Sequence, residues 1–204
     1  MNKINYQKEL DKITDSLNGD VPKLFLHSCC APCSSYTLEY LSNYFDITVY
    51  YFNPNISPKA EFDKRYAEQK RLIEALPSKH PIKLVCGEYD YNDFLKIAKG
   101  YENVPEGGER CFRCYRMRLE STAKLAKEQR FDYFCTTLSI SPLKNSQKIN
   151  EIGYEVAEKY GIKWLPSDFK KKEGYKRSIE LSREYQLYRQ NFCGCVFSKE
   201  NKDE

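Results

Sequence analysis

The chain lacks any run of roughly 18 or more apolar residues, the length that a membrane-spanning helix requires. Residues 1–20 are polar and contain no apolar core of a secretory signal. The net charge is only +4, from 33 basic and 29 acidic residues, which by itself does not indicate a polyanionic partner. We therefore expect a cytoplasmic protein with no membrane partner.

Internal repeats and linker-like segments are also absent from the sequence. A length of 204 residues suits one domain of ordinary size. We expect a polar helical segment at residues 1–20, a single α/β catalytic domain at residues 21–198 and a polar tail at residues 199–204.

Cysteine is abundant by contrast, with nine residues in a chain that is expected to stay in a reducing compartment. A static disulfide framework is disfavoured there, and the odd number also argues against full pairing. Cys86 and Cys135 lie in apolar, strand-like segments and are predicted to be plain buried residues. For the remaining cysteines, metal binding or redox chemistry is the expected use.

Short apolar segments rich in β-formers alternate with segments of helical spacing along the chain. The predicted strands are residues 23–28, 47–52, 82–86, 131–137 and 162–165. The predicted helices are residues 34–44, 58–76, 91–99, 111–130, 145–160 and 178–189. Such alternation predicts an α/β fold with a mostly parallel, doubly wound sheet flanked by helices.

Polar motifs follow three of the predicted strands. Residues 27–33 (HSCCAPC) follow the first strand, residues 53–55 (NPN) the second and residues 136–142 (TTLSISP) the fourth. Ligands of doubly wound sheets bind outside the carboxyl ends of the strands. The sequence therefore predicts that these three motifs meet at the functional edge of the sheet.

The seven remaining cysteines form three groups, Cys29-Cys30-x-x-Cys33, Cys111-x-x-Cys114 and Cys193-Gly194-Cys195. A Cys-x-x-Cys at a helix start directs both thiols the same way, and the helix N-terminus favours the thiolates that iron and zinc require. The position after a buried strand favours an iron–sulfur cluster, and a structural zinc remains the alternative. The last group is predicted to cycle between dithiol and disulfide because a small strained ring is labile, or else to supply further metal ligands.

Five segments of the chain resemble those of one family. They are HSCCAPCSSY (27–36), YFNPNISPKAEFDKR (51–65), RCFRCYRMRL (110–119), TTLSISPLKN (136–145) and YRQNFCGC (188–195). In this order they resemble the cobalamin-independent epoxyqueuosine reductases, QueH, over roughly residues 20–198. The resemblance implies a fold of the adenine nucleotide α-hydrolase-like type, related to the PP-loop ATPases. It also implies the last step of queuosine synthesis, the reduction of epoxyqueuosine to queuosine at the wobble position of tRNA anticodons.

The resemblance further implies the roles of the cysteines. Cys29, Cys30, Cys111 and Cys114 would hold a [4Fe–4S] cluster, and Cys193 and Cys195 would form the redox-active pair. Cys33 is a candidate for a catalytic role and for binding a second, mononuclear iron. No motif identifies the electron donor.

The expected partner is a tRNA anticodon stem-loop that carries epoxyqueuosine, whose loop bases can be splayed out and stacked. Residues at strand ends are candidates for lining a pocket for the cyclopentane diol; these are Tyr51, Asn53, Asn55, Thr136, Thr137 and Ser139. Basic residues are candidates for phosphate contacts; these are Arg113, Arg116, Lys144, Lys170, Arg177 and Arg189. Turn chemistry is the alternative for the first set. A solvated helix face is the alternative for the two basic runs, Arg110/Arg113/Arg116/Arg118 and Lys170/Lys171/Lys172/Lys176/Arg177.

Two other functions remain open at this stage. An ATP-dependent PP-loop-type tRNA-modifying enzyme would share the fold, but the loop after the first strand reads SCCAPCS, where a glycine-rich phosphate-binding loop is expected. A zinc-stabilised RNA-binding module would explain the cysteines without catalysis.

Overall fold

The computed structural model describes residues 4–199. A single sheet of five parallel strands forms its centre, in the order β3-β2-β1-β4-β5. The strands are β1 (Lys23–Ser28), β2 (Asp46–Tyr51), β3 (Lys83–Cys86), β4 (Tyr133–Thr136) and β5 (Lys163–Trp164). The helices are α1 (Tyr6–Ser16), α2 (Ala31–Leu41), α3 (Lys59–Ala75), α4 (Tyr91–Ala98), α5 (Glu109–Glu128), α6 (Ser146–Tyr160), α7 (Gly174–Glu184) and α8 (Val196–Lys199). This arrangement confirms the predicted doubly wound α/β fold.

Apolar layers cover both faces of the sheet, because successive side chains of a strand point to opposite faces. Leu24 and Leu26 of β1 pack in one layer, with side chains from α1, α2 and α3. Phe25 of the same strand packs in the other layer, with side chains from α5 and α6. Five of the six residues of β1 are buried, as expected for the central strand of a parallel sheet.

Element boundaries differ from the predictions where local chemistry sets them. The helix predicted at residues 34–44 begins at Ala31, since Cys30 is the N-cap and Pro32 lies in the first turn. The strand predicted at residues 131–137 ends at Thr136 and continues as a 3-10 turn, Thr137–Ile140. The last predicted helix, residues 178–189, is the earlier Gly174–Glu184, and α8 was not predicted.

The prediction that Cys86 is buried is wrong, whereas Cys135 is fully buried as predicted. Cys86 ends β3, which is an edge strand, so one side of it has no neighbouring strand and its thiol is exposed. Among residues 4–199, none of the helices combines the length and the apolar character that crossing a bilayer demands.

Gly153 allows α6 to pack directly on the sheet. A methyl carbon built on this glycine would overlap the indole ring of Trp164. The indole Nε1 donates a 3.0 Å hydrogen bond to Asn150 Oδ1, which holds the ring in place. The close approach of α6 to β5 therefore depends on the absence of a side chain at residue 153.

We expect Gly153→Ala to destabilise the protein by about 1–3 kcal/mol, because the added methyl overpacks this contact. At an unobstructed helix position the same change would stabilise by about 1 kcal/mol, so the sign of the effect is informative. Urea unfolding followed by circular dichroism measures the difference. Glu158→Ala, at an exposed position of the same helix, is the control and should stay within about 0.5 kcal/mol of wild type. An unchanged or raised stability of Gly153→Ala would contradict the packing described.

Candidate active site

Three thiols meet where β1 ends and α2 begins. Cys29 follows β1 directly, Cys30 caps α2 and Cys33 lies in its first turn. Their Sγ atoms all lie within 4.8 Å of one another, and those of Cys29 and Cys30 are 3.8 Å apart. Cys29 and Cys30 are therefore close enough to share one centre, although they are neighbours in the sequence. Among residues 4–199 this triad is the group of thiols, imidazoles and carboxylates whose spacing suits a metal ion.

The three thiols of the triad differ in pKa. Hydrogen bonds from Cys30 and Cys33 bring the pKa of Cys29 well below its usual range, against the effect of burial. The same contact with Cys29 raises the pKa of Cys30 to about 12 and that of Cys33 well above its usual range. One negative charge is thus stable among the three sulfurs, and a bound cation is needed to displace the other protons.

Two cationic side chains compensate this negative charge. Arg118 is only 1% exposed; its Nε donates to the carbonyl of Cys114 and its Nη1 to Asn53 Oδ1, both at the limit of hydrogen-bond length. Its Nη2 is buried with no hydrogen-bond partner among the described residues. Burial works against a charged Arg118, but negative charge on Cys114, Cys193 and Cys29 outweighs it and raises its pKa.

Lys144 is the second of these cations. Burial acts to lower the pKa of its ammonium group, and negative charge on Cys193, Cys29 and Cys33 raises it above its usual range. Cys29 and Cys193 therefore act on both cations, which places the first and last cysteine groups around one region of the site.

Cys111 and Cys114 lie in the first turns of α5, as predicted from their spacing. The backbone N–H of Gly107 donates a 3.2 Å hydrogen bond to the Cys111 sulfur. Burial raises the pKa of both thiols, that of Cys114 to about 11, and negative charge on Cys193 adds to both shifts. These two thiols lie close enough to Cys193 for its ionised form to raise their pKa values. They do not belong to the triad of sulfurs within 4.8 Å of one another.

The two thiols of the Cys193-Gly194-Cys195 segment face different surroundings. Cys193 lines a cavity of about 460 Å³, which all three cysteines of the triad also line. Cys195 is 8% exposed and packs in an apolar cluster with Phe94, Ala98 and Cys114. Burial, followed by the charge of Cys193, raises the pKa of Cys195 to about 12. All nine cysteines are free thiols in the structure.

Four of the residues predicted to bind substrate line this cavity, namely Asn53, Asn55, Lys144 and Arg189. Asn53 is fixed by donating a 2.8 Å hydrogen bond to the carbonyl of Ser28. Asn55 is 1% exposed, and its Oδ1 has no partner among the described residues. Arg189 is exposed at this position and donates to Ser182 Oγ.

The other predicted pocket residues are buried behind the cavity. Tyr51 donates its hydroxyl hydrogen bond to the carbonyl of Phe62, and Ser139 Oγ bonds Ser167 Oγ. Thr137 Oγ1 accepts from the backbone N–H of Cys29 at 3.4 Å and lies 3.6 Å from its sulfur. These side chains support the walls of the cavity but do not line it.

Thr136 interacts with His27 in the same layer. His27 Nε2 donates to the carbonyl of Phe52, so the hydroxyl of Thr136 donates to Nδ1 at 2.8 Å. Burial lowers the pKa of this imidazole to about 3, and it is therefore neutral.

Most basic residues predicted to contact phosphate are already paired within the protein. Arg113 stacks on Tyr101, with its guanidinium carbon 4.0 Å from the ring centroid, and Arg116 pairs with Glu155. Lys170 pairs with Asp168 at 3.1 Å, and Arg177 with Glu39 at 2.6 Å. The first basic run is not a uniform solvated face, because Arg110 and Arg118, two turns apart on α5, are both at most 2% exposed.

Sequence reasoning missed Arg65, Glu106 and Gln190 in the cavity wall. Arg65 belongs to segment 51–65, one of the five that resemble the family, and that placement was the signal available for selecting it. Glu106 and Gln190 lie in segments without regular structure, and no local pattern distinguishes them. The burial of Arg118 could have been suspected, because it lies four residues after Cys114 and therefore on the same helix face.

Comparison with known proteins gives one consistent result. Residues 24–201 match the model of the family described as epoxyqueuosine reductase QueH. Proteins of that name from Staphylococcus epidermidis and Staphylococcus aureus are 48% and 45% identical to this chain over 202 residues, which covers 96% of it and 85% and 84% of theirs. The one from Thermotoga maritima is 36% identical over 178 residues, covering 86% of this chain and 89% of its own.

We expect the metal-free protein to bind cobalt(II) with the visible absorption typical of thiolate coordination, because three thiols converge on one point. Cys33→Ser should weaken this binding by roughly tenfold or more, since a hydroxyl replaces one of the ligands. An anaerobic optical titration measures the affinity. Cys86→Ser, which removes an exposed thiol outside the site, should bind as wild type does. Equal affinities of Cys33→Ser and wild type would exclude Cys33 from the site.

Proposed function

Because the chain belongs to the epoxyqueuosine reductase QueH family, we propose that it reduces epoxyqueuosine to queuosine at the wobble position of tRNA anticodons. The observation that carries this proposal is the thiol triad in the wall of a cavity that Cys193 also lines. Removal of an epoxide oxygen consumes electrons and protons, and the thiols of this cavity, with a metal that they would hold, are suited to supply them.

The cysteine pair accounts for the overall balance. Removing the epoxide oxygen leaves an alkene and releases water, at a cost of two electrons and two protons. Oxidation of Cys193 and Cys195 from dithiol to disulfide releases the same two electrons and two protons. An external thiol or other electron donor must then reduce the disulfide before another turnover. In this scheme Cys193 acts from the cavity, and Cys195 closes the disulfide from its apolar cluster.

The donor set fits an iron–sulfur centre. Thiols are its usual ligands, and the unpartnered Nη2 of buried Arg118 suits the negative charge that thiolates and sulfide bring. In our proposal Cys29, Cys30, Cys111 and Cys114 hold a [4Fe–4S] cluster, and Cys33 binds a second, mononuclear iron. The inclusion of α5 is supported by Arg118, whose pKa is raised by negative charge on both Cys114 and Cys29. When bound, such a centre would supply single electrons and a Lewis acid for the epoxide oxygen.

The chain's own polar groups would orient the substrate. The modified base lies in a single-stranded anticodon loop, from which a base can be turned outward into an enclosed site. Asn53 and Asn55 offer amides to the ring substituents, and Lys144 and Arg189 offer positive charge to the flanking phosphates. With so few phosphate contacts, tRNA affinity is expected to fall moderately as salt increases.

The proposed reaction is tested by anaerobic reconstitution with iron and sulfide, followed by incubation with tRNA that carries epoxyqueuosine and a chemical reductant. Mass spectrometry of the digested nucleosides should show loss of epoxyqueuosine and gain of queuosine. Protein kept metal-free throughout is the matched control and should give no product. If the reconstituted protein gave no queuosine, or the metal-free protein gave as much, the proposal would be wrong.

We expect Cys193→Ser to form at most about one product per enzyme, because a serine cannot close the disulfide that each turnover requires. The visible spectrum of the reconstituted centre should be retained, since Cys193 is not among its proposed ligands. Product counted against enzyme over time separates these effects, and Cys86→Ser should turn over as wild type does. Sustained turnover by Cys193→Ser would rule out the relay.

A further inference from the structure

Arg65 of α3 is the residue that connects the cavity wall to the Cys193-Gly194-Cys195 segment. It is 3% exposed, and its Nε donates a 2.7 Å hydrogen bond to Glu61 Oε1 one helical turn earlier. Its Nη1 donates a 3.1 Å hydrogen bond to the backbone carbonyl of Cys193, 128 residues away in the sequence. The guanidinium also faces the ring of Phe192 at 5.0 Å. A single buried cation is thus fixed at one end by a carboxylate and binds the redox segment at the other.

The segment is held at each of its three carbonyl groups. Besides the bond from Arg65 to Cys193, the N–H of Ser57 donates to the carbonyl of Gly194 at 2.9 Å, and the N–H of Ser198 donates to that of Cys195 at 3.0 Å. Gly194 has φ +101°, and a Cβ there would lie 3.1 Å from both Arg65 Nη1 and Ile56 Cγ1. The positive φ together with this close approach of Arg65 favours glycine between the two cysteines.

Disulfide formation must disturb this arrangement. The two sulfurs have to come within about 2.05 Å of each other, whereas one thiol now lines the cavity and the other packs in an apolar cluster. Closing a ring across a single glycine turns the backbone of the segment, and its carbonyls turn with it. The bond from Arg65 to the carbonyl of Cys193 is made in the dithiol form. This turn of the backbone would weaken it in the disulfide form.

We propose that Arg65 is a positioning residue, which holds the Cys193-Gly194-Cys195 segment in its dithiol geometry with the Cys193 thiol presented to the cavity. This inference rests on the proposed use of the pair as a two-electron donor. Arg65 suits the role because its planar fork serves Glu61 and Cys193 at the same time, which the single ammonium of lysine does not reproduce. Loss of the Arg65 guanidinium is expected to favour oxidation of Cys193 and Cys195 to the disulfide.

The test measures how readily the pair is oxidised. Metal-loaded protein is equilibrated anaerobically with mixtures of reduced and oxidised glutathione, in which the dithiol and oxidised glutathione give the disulfide and two reduced glutathiones. The free thiols are then alkylated and the protein is digested with trypsin. Residues 190–199 form one tryptic peptide that contains both cysteines, so its mass distinguishes an internal disulfide from two alkylated thiols.

Arg65→Lys is the main variant because it keeps a positive charge beside Glu61. The equilibrium constant for oxidation should rise about tenfold, the usual consequence of losing one charge-assisted hydrogen bond in one state only, which corresponds to about 30 mV. Arg71→Lys is the matched control. Arg71 lies on the same helix, pairs with Glu68 and donates to the carbonyl of Tyr185, but does not contact the redox segment, so its equilibrium should equal that of wild type.

Glu61→Gln is the second variant, in case Arg65→Lys does not fold by circular dichroism. It keeps an acceptor for Nε but removes the charge that anchors Arg65, and it should shift the equilibrium in the same direction by a smaller factor. An equilibrium equal to that of wild type in the folded variants would overturn the proposal. Absence of the internal disulfide from wild type at every glutathione ratio would instead refute the two-electron pair itself, and with it this inference.

Discussion

Three sulfur atoms held within 4.8 Å of one another are the constraint on which the rest of the site depends. Thiols so close together cannot all ionise, and Cys29 keeps the negative charge at the expense of Cys30 and Cys33. Buried Arg118 and half-buried Lys144 offset that charge. The polar interior of this protein is therefore organised around sulfur, with cations supplied from α5 and from the loop before α6.

The parallel sheet allows these polar groups to lie together at one edge without interrupting the apolar core. β1 lies at the centre of five strands, and its two neighbours end at the same edge. The turns after β1, β2 and β4 consequently meet there, while the apolar layers on both faces remain intact. The Cys193-Gly194-Cys195 segment comes from the far end of the chain and is held at this edge by backbone hydrogen bonds and by Arg65.

The sequence allowed the architecture and much of the site to be predicted, for identifiable reasons. Strands and helices could be predicted because their periodicity depends on residues that are close in the sequence. The carboxyl ends of parallel strands meet at one edge whatever the loops contain. The grouping of Cys29 with Asn53 could therefore be predicted as well. Arg65 was missed because its contact with Cys193 spans 128 residues. Cys86 was assigned to the interior because an apolar strand looks the same at the edge of a sheet as at its centre. The depth at which Arg118 is buried likewise depends on tertiary packing.

Helix α1 lies outside the region that matches the family model, but it is part of the apolar core. The family model begins at residue 24, after α1 has ended. Yet Leu10 of α1 is fully buried in the same apolar layer as Leu24 and Leu38, and Asp11 pairs with Lys172 beside α7. A fragment trimmed to the boundaries of the matched region would thus expose the apolar surface that α1 covers.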